Sequence, residues 1–260
     1  MPVSDSVDRD DASDQSPEPT DGLPINELFY SVQGEGQLAG VPSVFVRTSG
    51  CNLRCWFCDS YHTSWEPTHA WMEIDEIVAE IESFGADHVV LTGGEPLIHE
   101  ASETLLAELD ERGYHTTVET NGTIHRDAPI DLASISPKLA NSTPTPERAP
   151  ADGDAGQWET RHEDERVDLD TLTRLANEYE CQLKFVVTDE HDMPEILDLL
   201  DEIEDRVDVP IRDDVLLMPE GATRKRLAET RGQVADLAME YGFRYTPRLH
   251  VDLWNDAPET

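Results

Sequence analysis

Basic residues are scarce in this chain. Only 19 Lys plus Arg stand against 56 Asp plus Glu among 260 residues, a formal net charge of −37. A nucleic-acid binder needs clustered Lys and Arg to meet phosphates, so direct nucleic-acid binding is excluded. Long apolar runs are missing too. None approaches the roughly 20 residues that span a bilayer, and no basic start leads into an apolar core, so neither a membrane partner nor a signal peptide is expected. Cysteine is nearly absent. There are four, three of them between positions 51 and 58, which is no disulfide framework. The solitary Cys181 reads as a small buried hydrophobe. These absences together describe a soluble, cytoplasmic chain whose thiols stay reduced.

The acidity has its own consequence. At low ionic strength such a charge repels itself and opposes the compact state. At molar salt the Debye length falls to about 3 Å and the repulsion is screened. The acids run through the whole chain, including the helical stretch 195–205, so they read as adaptation to a salt-rich cytoplasm such as that of a halophilic archaeon.

Two segments look unlike a packed domain. Residues 1–22 carry acids, Ser, Pro and Thr with almost no large apolar side chains, an expected disordered tail. Residues 141–166 are rich in Pro, Gly and charge and read as a long surface loop or insertion in a single domain spanning 23–260, with Trp158 left unexplained. Elsewhere strands alternate with helices. Strands are expected over 44–47, 88–92, 114–119, 132–136, 182–187 and 215–218, with a final one over 248–254. Helical spacing marks Ile74, Ile77, Val78 and Ile81, then Leu105, Leu106 and Leu109, Leu172, Leu175, Ala176 and Tyr179, Ile196, Leu199, Leu200 and Ile203, and Val234, Leu237, Ala238 and Tyr241. Repeated βα units predict an α/β fold, a roughly six-stranded and mainly parallel sheet curved as a partial (β/α) barrel. Right-handed crossovers put the strand C-termini on one rim, where α/β proteins gather their active sites.

The chemistry-bearing motifs all follow strands. The first is Cys51-Asn-Leu-Arg-Cys55-Trp-Phe-Cys58. Three thiolates on one loop suit three corners of a 4Fe–4S cluster, leaving one iron open to a small molecule. Zinc remains an alternative, with His62 or His69 completing the set, as does a redox Cys55/Cys58 pair. The other motifs are Thr92-Gly-Gly-Glu-Pro96, Glu119-Thr-Asn121-Gly, Ser136-Pro137-Lys138 and Met218-Pro219-Glu220-Gly221.

The spacing Cys51, Cys55, Phe57, Cys58 and the Gly93-Gly94-Glu95-Pro96 run resemble the radical S-adenosylmethionine superfamily. Within it the chain is similar to the 7-carboxy-7-deazaguanine synthase family. That likeness rests on Glu27-Leu-Phe-Tyr-Ser-Val32-Gln33-Gly34-Glu35-Gly36, Phe45-Val-Arg47, Cys58-Asp59-Ser60 and Ser136-Pro137-Lys138. The resemblance implies a lyase that turns 6-carboxy-5,6,7,8-tetrahydropterin into 7-carboxy-7-deazaguanine with loss of ammonia, on the way to archaeosine or queuosine in tRNA. It implies a 4Fe–4S cluster, S-adenosylmethionine and Mg²⁺, a radical drawn from the cofactor rather than a catalytic side chain, a flavodoxin or ferredoxin as electron donor, and a homodimer.

Roles follow from the same resemblance. Cys51, Cys55 and Cys58 hold the cluster. Phe57, Asp59, Gly93, Gly94, Glu95, Glu119, Asn121, Ser136, Pro137, Lys138, Met218, Pro219 and Glu220 surround the cofactors. Val32, Gln33, Gly34, Glu35, Arg47, Thr92 and His250 meet the pterin, Arg47 through its carboxylate, and Ser60 ligates Mg²⁺. Two rival readings share the cysteines: a glycyl-radical enzyme activase, and a non-catalytic zinc or iron–sulfur adaptor.

Overall fold

The computed structural model describes residues 21–149, 155–255 and 257. In chain order the main elements are β1 (Gly22–Val32), β2 (Pro42–Thr48), α1 (Tyr61–Ser64), β3 (Ala70–Glu73), α2 (Ile74–Phe84), β4 (His88–Gly93), α3 (Ala101–Glu111), β5 (His115–Thr120), β6 (Leu132–Ile135), α4 (Ala155–Glu165), α5 (Leu169–Glu178), β7 (Cys181–Val187), α6 (Met193–Glu204), β8 (Val215–Pro219), α7 (Arg224–Tyr241), β9 (Arg244–Tyr245) and α8 (Leu249–Trp254). Among the described residues they build one open sheet of nine strands, ordered β3-β1-β2-β4-β5-β6-β7-β8-β9. From β2 to β9 every pairing is parallel, while β1 runs antiparallel to both β2 and β3.

The helices form where apolar spacing meets end signals. In α2, Ile74, Ile77, Val78 and Ile81 are buried on one stripe. Glu73 and Glu76 make a reciprocal capping box at its start, and Gly85 ends it in the left-handed region at φ 65°. In α6 the same logic buries Ile196, Leu199, Leu200 and Ile203 and turns Asp198, Asp201 and Glu202 to solvent. The core lies between these helices and one face of the sheet, with Val44, Val46, Val89, Leu91 and Val118 fully covered. On the other face Phe29 stacks on Phe45 at 5.1 Å and packs with Val90.

The expected α/β class and parallel sheet are present, and the structure corrects three details. The sheet has nine strands, because β1, β3 and β9 extend the parallel set. β1 overlaps the Glu27–Gly36 motif, so that signature is half strand and half turn. The expected last strand, 248–254, is instead the helix α8. Its mixed polarity buries only Val251 and exposes Leu253 and Trp254, while the neighbouring β9 takes the sheet edge. Where a loop was expected over 141–166, the chain forms a 3₁₀ turn at Ala140–Ser142 and then α4. Of the expected acidic tail, residues 1–20 lie outside the described residues, and β1 already begins at Gly22.

Candidate active site

The C-terminal ends of β2, β4, β5, β6, β7 and β8 open onto one cavity of about 1100 Å³. That exceeds the volume of a typical site for one small ligand. The three cysteines, Phe57, Asp59 and Ser60 line it from the loop after β2, Thr92, Gly93 and Gly94 from the end of β4, and Glu119 and Asn121 from the end of β5. Ser136 and Lys138 enter after β6, Met218 and Glu220 from the end of β8, and Val32, Gln33, Gly34, Glu35, Arg47 and His250 also line it. His62 and His69 sit at the exposed mouth.

At one end the three thiols face the cavity as a group. Burial is the chief cause that raises each of their pKa values, Cys55 up to about 12; neighbouring sulfurs add to the effect at Cys51 and Cys55, and Asp59 does so at Cys58. Such thiols remain protonated until a metal displaces the protons. Among the described residues no three His, Cys, Asp or Glu side chains converge as a cage for a single ion. A cubane asks for something wider, since each thiolate takes a different iron, and three thiols around one cavity end fit that demand. The loop is held by its neighbours. Asn121 Nδ2 donates to Asn52 at 2.9 Å, Trp65 Nε1 to the Cys55 carbonyl at 3.0 Å, and the Ser64 hydroxyl to Cys58 Sγ at 3.2 Å.

Gly93 and Gly94, both on the cavity lining, also meet a backbone demand. A Cβ on Gly93, where φ is 143°, would lie 2.2 Å from the Thr48 carbonyl, and one on Gly94 would lie 2.2 Å from that of Gly50. Their bareness lets the end of β4 press against the start of the cysteine loop. Glu95 is fully buried beneath the cavity wall rather than in it. Its carboxyl accepts from Leu97 N, Thr120 Oγ1 and Asn121 N, the last at 2.7 Å, so it orders two strand-end turns at once. Burial pushes its pKa up to about 7 against those donors. Pro137 and Pro219 also stand behind the wall. Lys138 Nζ donates to Ser136 Oγ at 2.8 Å, which gathers that motif into one polar corner.

A second group of cavity residues is charged. Glu35 pairs with Lys184 Nζ at 2.7 Å and with Arg248 Nε at 2.9 Å. Lys184 reaches Glu119 at 2.7 Å as well, and Gln33 Nε2 donates to Glu119 at 3.3 Å. Arg248 also pairs with Asp59, the residue after the last cysteine. Burial alone would raise the Glu35 pKa, but Lys184 and Arg248 outweigh it and hold the carboxyl far below the usual range. The two carboxylates in turn keep Lys184 charged although it is only 3% exposed. Gly34 must lack a side chain, because a Cβ there would lie 1.8 Å from the His250 ring. Arg47 Nη1 donates to Ser60 Oγ at 2.9 Å and its Nε to Glu27 at 3.1 Å, so two residues picked for one ligand carboxylate and its metal meet directly.

The sequence reading missed Lys184 and Arg248 as site residues. Lys184 carried one available signal, a lone cation inside the apolar strand 182–187, where an unpaired charge is costly. Arg248 was visible only as the neighbour of His250.

A parallel sheet whose rim carries three cysteines on the first parallel strand's loop defines the class of radical S-adenosylmethionine enzymes. In keeping with this, the model of the radical SAM superfamily matches residues 45–139. A relative from Halobacterium salinarum described as 7-carboxy-7-deazaguanine synthase is 67% identical over 262 residues, covering all of both chains. A relative of the same description from Rhodopirellula baltica is 39% identical over 88% of this chain and 85% of its own. The crystal structure of QueE from Escherichia coli shares the fold at a TM-score of 0.62 and 24% identity, over 86% of this chain and 93% of that one. The chain belongs to the 7-carboxy-7-deazaguanine synthase family. Membership of the superfamily brings a 4Fe–4S cluster and S-adenosylmethionine, which the three-thiol end fits. No helix among the described residues is long and apolar enough to cross a membrane.

Proposed function

We propose that this cavity converts 6-carboxy-5,6,7,8-tetrahydropterin to 7-carboxy-7-deazaguanine with loss of ammonia. The observation that carries the reading is convergence. Three cysteines and the set Gln33, Glu35, Arg47, Thr92, Ser60 and His250 line a single cavity from separate elements. When bound, the cluster and S-adenosylmethionine would supply a carbon radical able to take a hydrogen atom from substrate.

The protein's own share is binding and orientation. Cys51, Cys55 and Cys58 hold the cluster. Gly94, Asn121, Ser136, Lys138, Met218 and Glu220, all lining the cavity, bind the nucleotide cofactor. Gln33 and Glu35 hydrogen-bond the pterin edge, already immobilised by Glu119, Lys184 and Arg248. Arg47 meets the substrate carboxylate with a guanidinium fork. Ser60, in contact with Arg47, offers an oxygen to Mg²⁺, a hard ion that is often shared with substrate. Thr92 and His250 complete the wall. The enzyme works in the cytoplasm as a homodimer, takes electrons from a flavodoxin or ferredoxin, and feeds deazapurine synthesis for tRNA.

One anaerobic assay tests this. Reconstituted protein is given dithionite, S-adenosylmethionine, Mg²⁺ and carboxytetrahydropterin in molar KCl. Deazapurine absorbance with no net consumption of S-adenosylmethionine is the expected result. Uncoupled 5′-deoxyadenosine alone points to an activase, and zinc-loaded protein with neither product points to an adaptor.

A further inference from the structure

The insertion does more than lengthen a surface loop. Inside the cysteine loop the two backbone amides that flank Cys55 are both taken by the segment that follows Lys138. Trp56 N donates to the Ser142 carbonyl at 3.1 Å, and Arg54 N donates to His162 Nδ1 at 3.1 Å. His162 lies on α4, fully buried in a helix that is otherwise mostly polar. Because Nδ1 accepts from an amide, it carries no proton, and the ring proton sits on Nε2. That nitrogen faces Ser142 Oγ at 2.9 Å, whose own proton goes to the Leu139 carbonyl at 2.6 Å. The Ser142 side chain in turn rests against the Cys55 thiol.

Two further contacts join the same pair of segments, and a third ties the end of α4 back to Lys138. Trp56 Nε1 donates to the Asn141 carbonyl at 2.7 Å. The Arg54 guanidinium lies 4.2 Å from the centre of the Trp158 ring, with Arg161 at 4.8 Å from it, while Arg54 Nη1 ties back the Cys51 and Leu53 carbonyls at 2.8 Å. Arg166 Nη1 donates to the Lys138 carbonyl at 3.0 Å. On α4, Ala155, Trp158 and His162 fall at i, i+3 and i+7, one face of the helix, and Arg166 just beyond continues it.

We propose that α4 is a clamp on the cluster-binding loop, with His162 as a positioning residue that fixes Cys55 by holding the Arg54 amide and orienting Ser142. The inference rests on the cluster reading for its purpose, but the clamp itself is a property of the polypeptide. Without it the loop between Cys51 and Cys58, which has no regular secondary structure, would lose its anchor at the middle ligand. Labile cluster iron would follow.

The experiment separates position from fold and from cluster identity. His162→Leu removes the acceptor, His162→Asn keeps an acceptor at the Nδ1 position, and Trp158→Ala, at a half-exposed site, tests the same clamp should His162→Leu fail to fold. In anaerobic holoprotein, release of iron to a ferrous chelator is expected to speed up about tenfold in His162→Leu, the kinetic equivalent of one lost buried hydrogen bond. His162→Asn, which keeps the Arg54 contact but not the one to Ser142, recovers most of the slow release, and Trp158→Ala lies between wild type and His162→Leu. In apoprotein, hydrogen exchange at the Arg54 and Trp56 amides rises in the same order while exchange in β4 and β5 is unmoved. Release and exchange unchanged in both His162→Leu and Trp158→Ala overturn the clamp, as does His162→Asn behaving like His162→Leu. Wild-type protein that takes up no iron would instead refute the cluster reading, with the apoprotein exchange still deciding the clamp.

Discussion

The cavity holds two contrasting groups, three neutral thiols on the cysteine loop and a set of ion pairs around Glu35 and Lys184. Cys51, Cys55 and Cys58 have pKa values raised chiefly by burial, so each waits for a metal to take its proton's place. Glu35, Lys184, Glu119 and Arg248 are equally enclosed, yet each carboxylate finds a cation within 2.9 Å. The contrast teaches which part of the site is built before its ligands arrive. The charged end is preorganised by the fold and needs no cofactor to set its geometry. The thiol end is complete in position but not in charge. Asp59 joins the two, since it follows Cys58 and pairs with Arg248.

That comparison can be broken at either end. The largest effect is expected from Cys55→Ala, which leaves two thiols on the loop and should abolish both cluster absorbance and turnover. The charged end should keep its fold, so the apoprotein's unfolding midpoint should barely move. A large fall in that midpoint would mean that the two ends are not independent. Next comes Lys184→Met. It takes the cation from Glu119 and one of two from Glu35, which keeps Arg248, and should cost about 3 kcal/mol in denaturant unfolding of the apoprotein, measured in molar salt so that general repulsion is screened. A cost near zero would show that Glu35 and Glu119 are solvated after all.

Ser60→Ala is a smaller change, confined to the junction between Arg47 and the last cysteine. The cluster spectrum should be unchanged, while the rate at saturating substrate falls about tenfold and responds less to added Mg²⁺. An untouched Mg²⁺ dependence would remove Ser60 from the metal site. The smallest effect concerns pH. The folded Glu35 pKa lies below its ordinary value of 4.5, so the unfolded chain binds more protons as the solution is acidified. Its contribution is therefore full above about pH 5 and is lost as pH falls below that. The unfolding midpoint of Glu35→Gln should accordingly decline less than that of wild type between pH 5 and pH 3, and parallel curves would contradict the ion-pair network.

How much of this was legible in the sequence depended on whether a signal was contiguous. The cysteine loop, the Gly93-Gly94 run and Ser136-Pro137-Lys138 each occupy a few consecutive residues after a strand, and the sheet brings them to one rim. Lys184 and Arg248 were not legible as partners. Each is a single residue whose meaning comes from elements 149 and 213 positions away from it. The helix α4 escaped for another reason. Its buried face uses a histidine and a half-buried tryptophan in place of an aliphatic stripe, so apolar periodicity never marks it. Likewise, the six residues of α8 are too short a window for any period to show.

The central claim is that three side-chain ligands leave one iron for the cofactor. The most direct measurement is electron–nuclear double resonance on the dithionite-reduced protein with S-adenosylmethionine labelled with ¹⁵N at its amino group and ¹⁷O at its carboxylate. The account predicts hyperfine coupling from both labels to a 4Fe–4S signal. A reduced cluster that shows neither coupling, because a fourth side chain already fills the position, would contradict it.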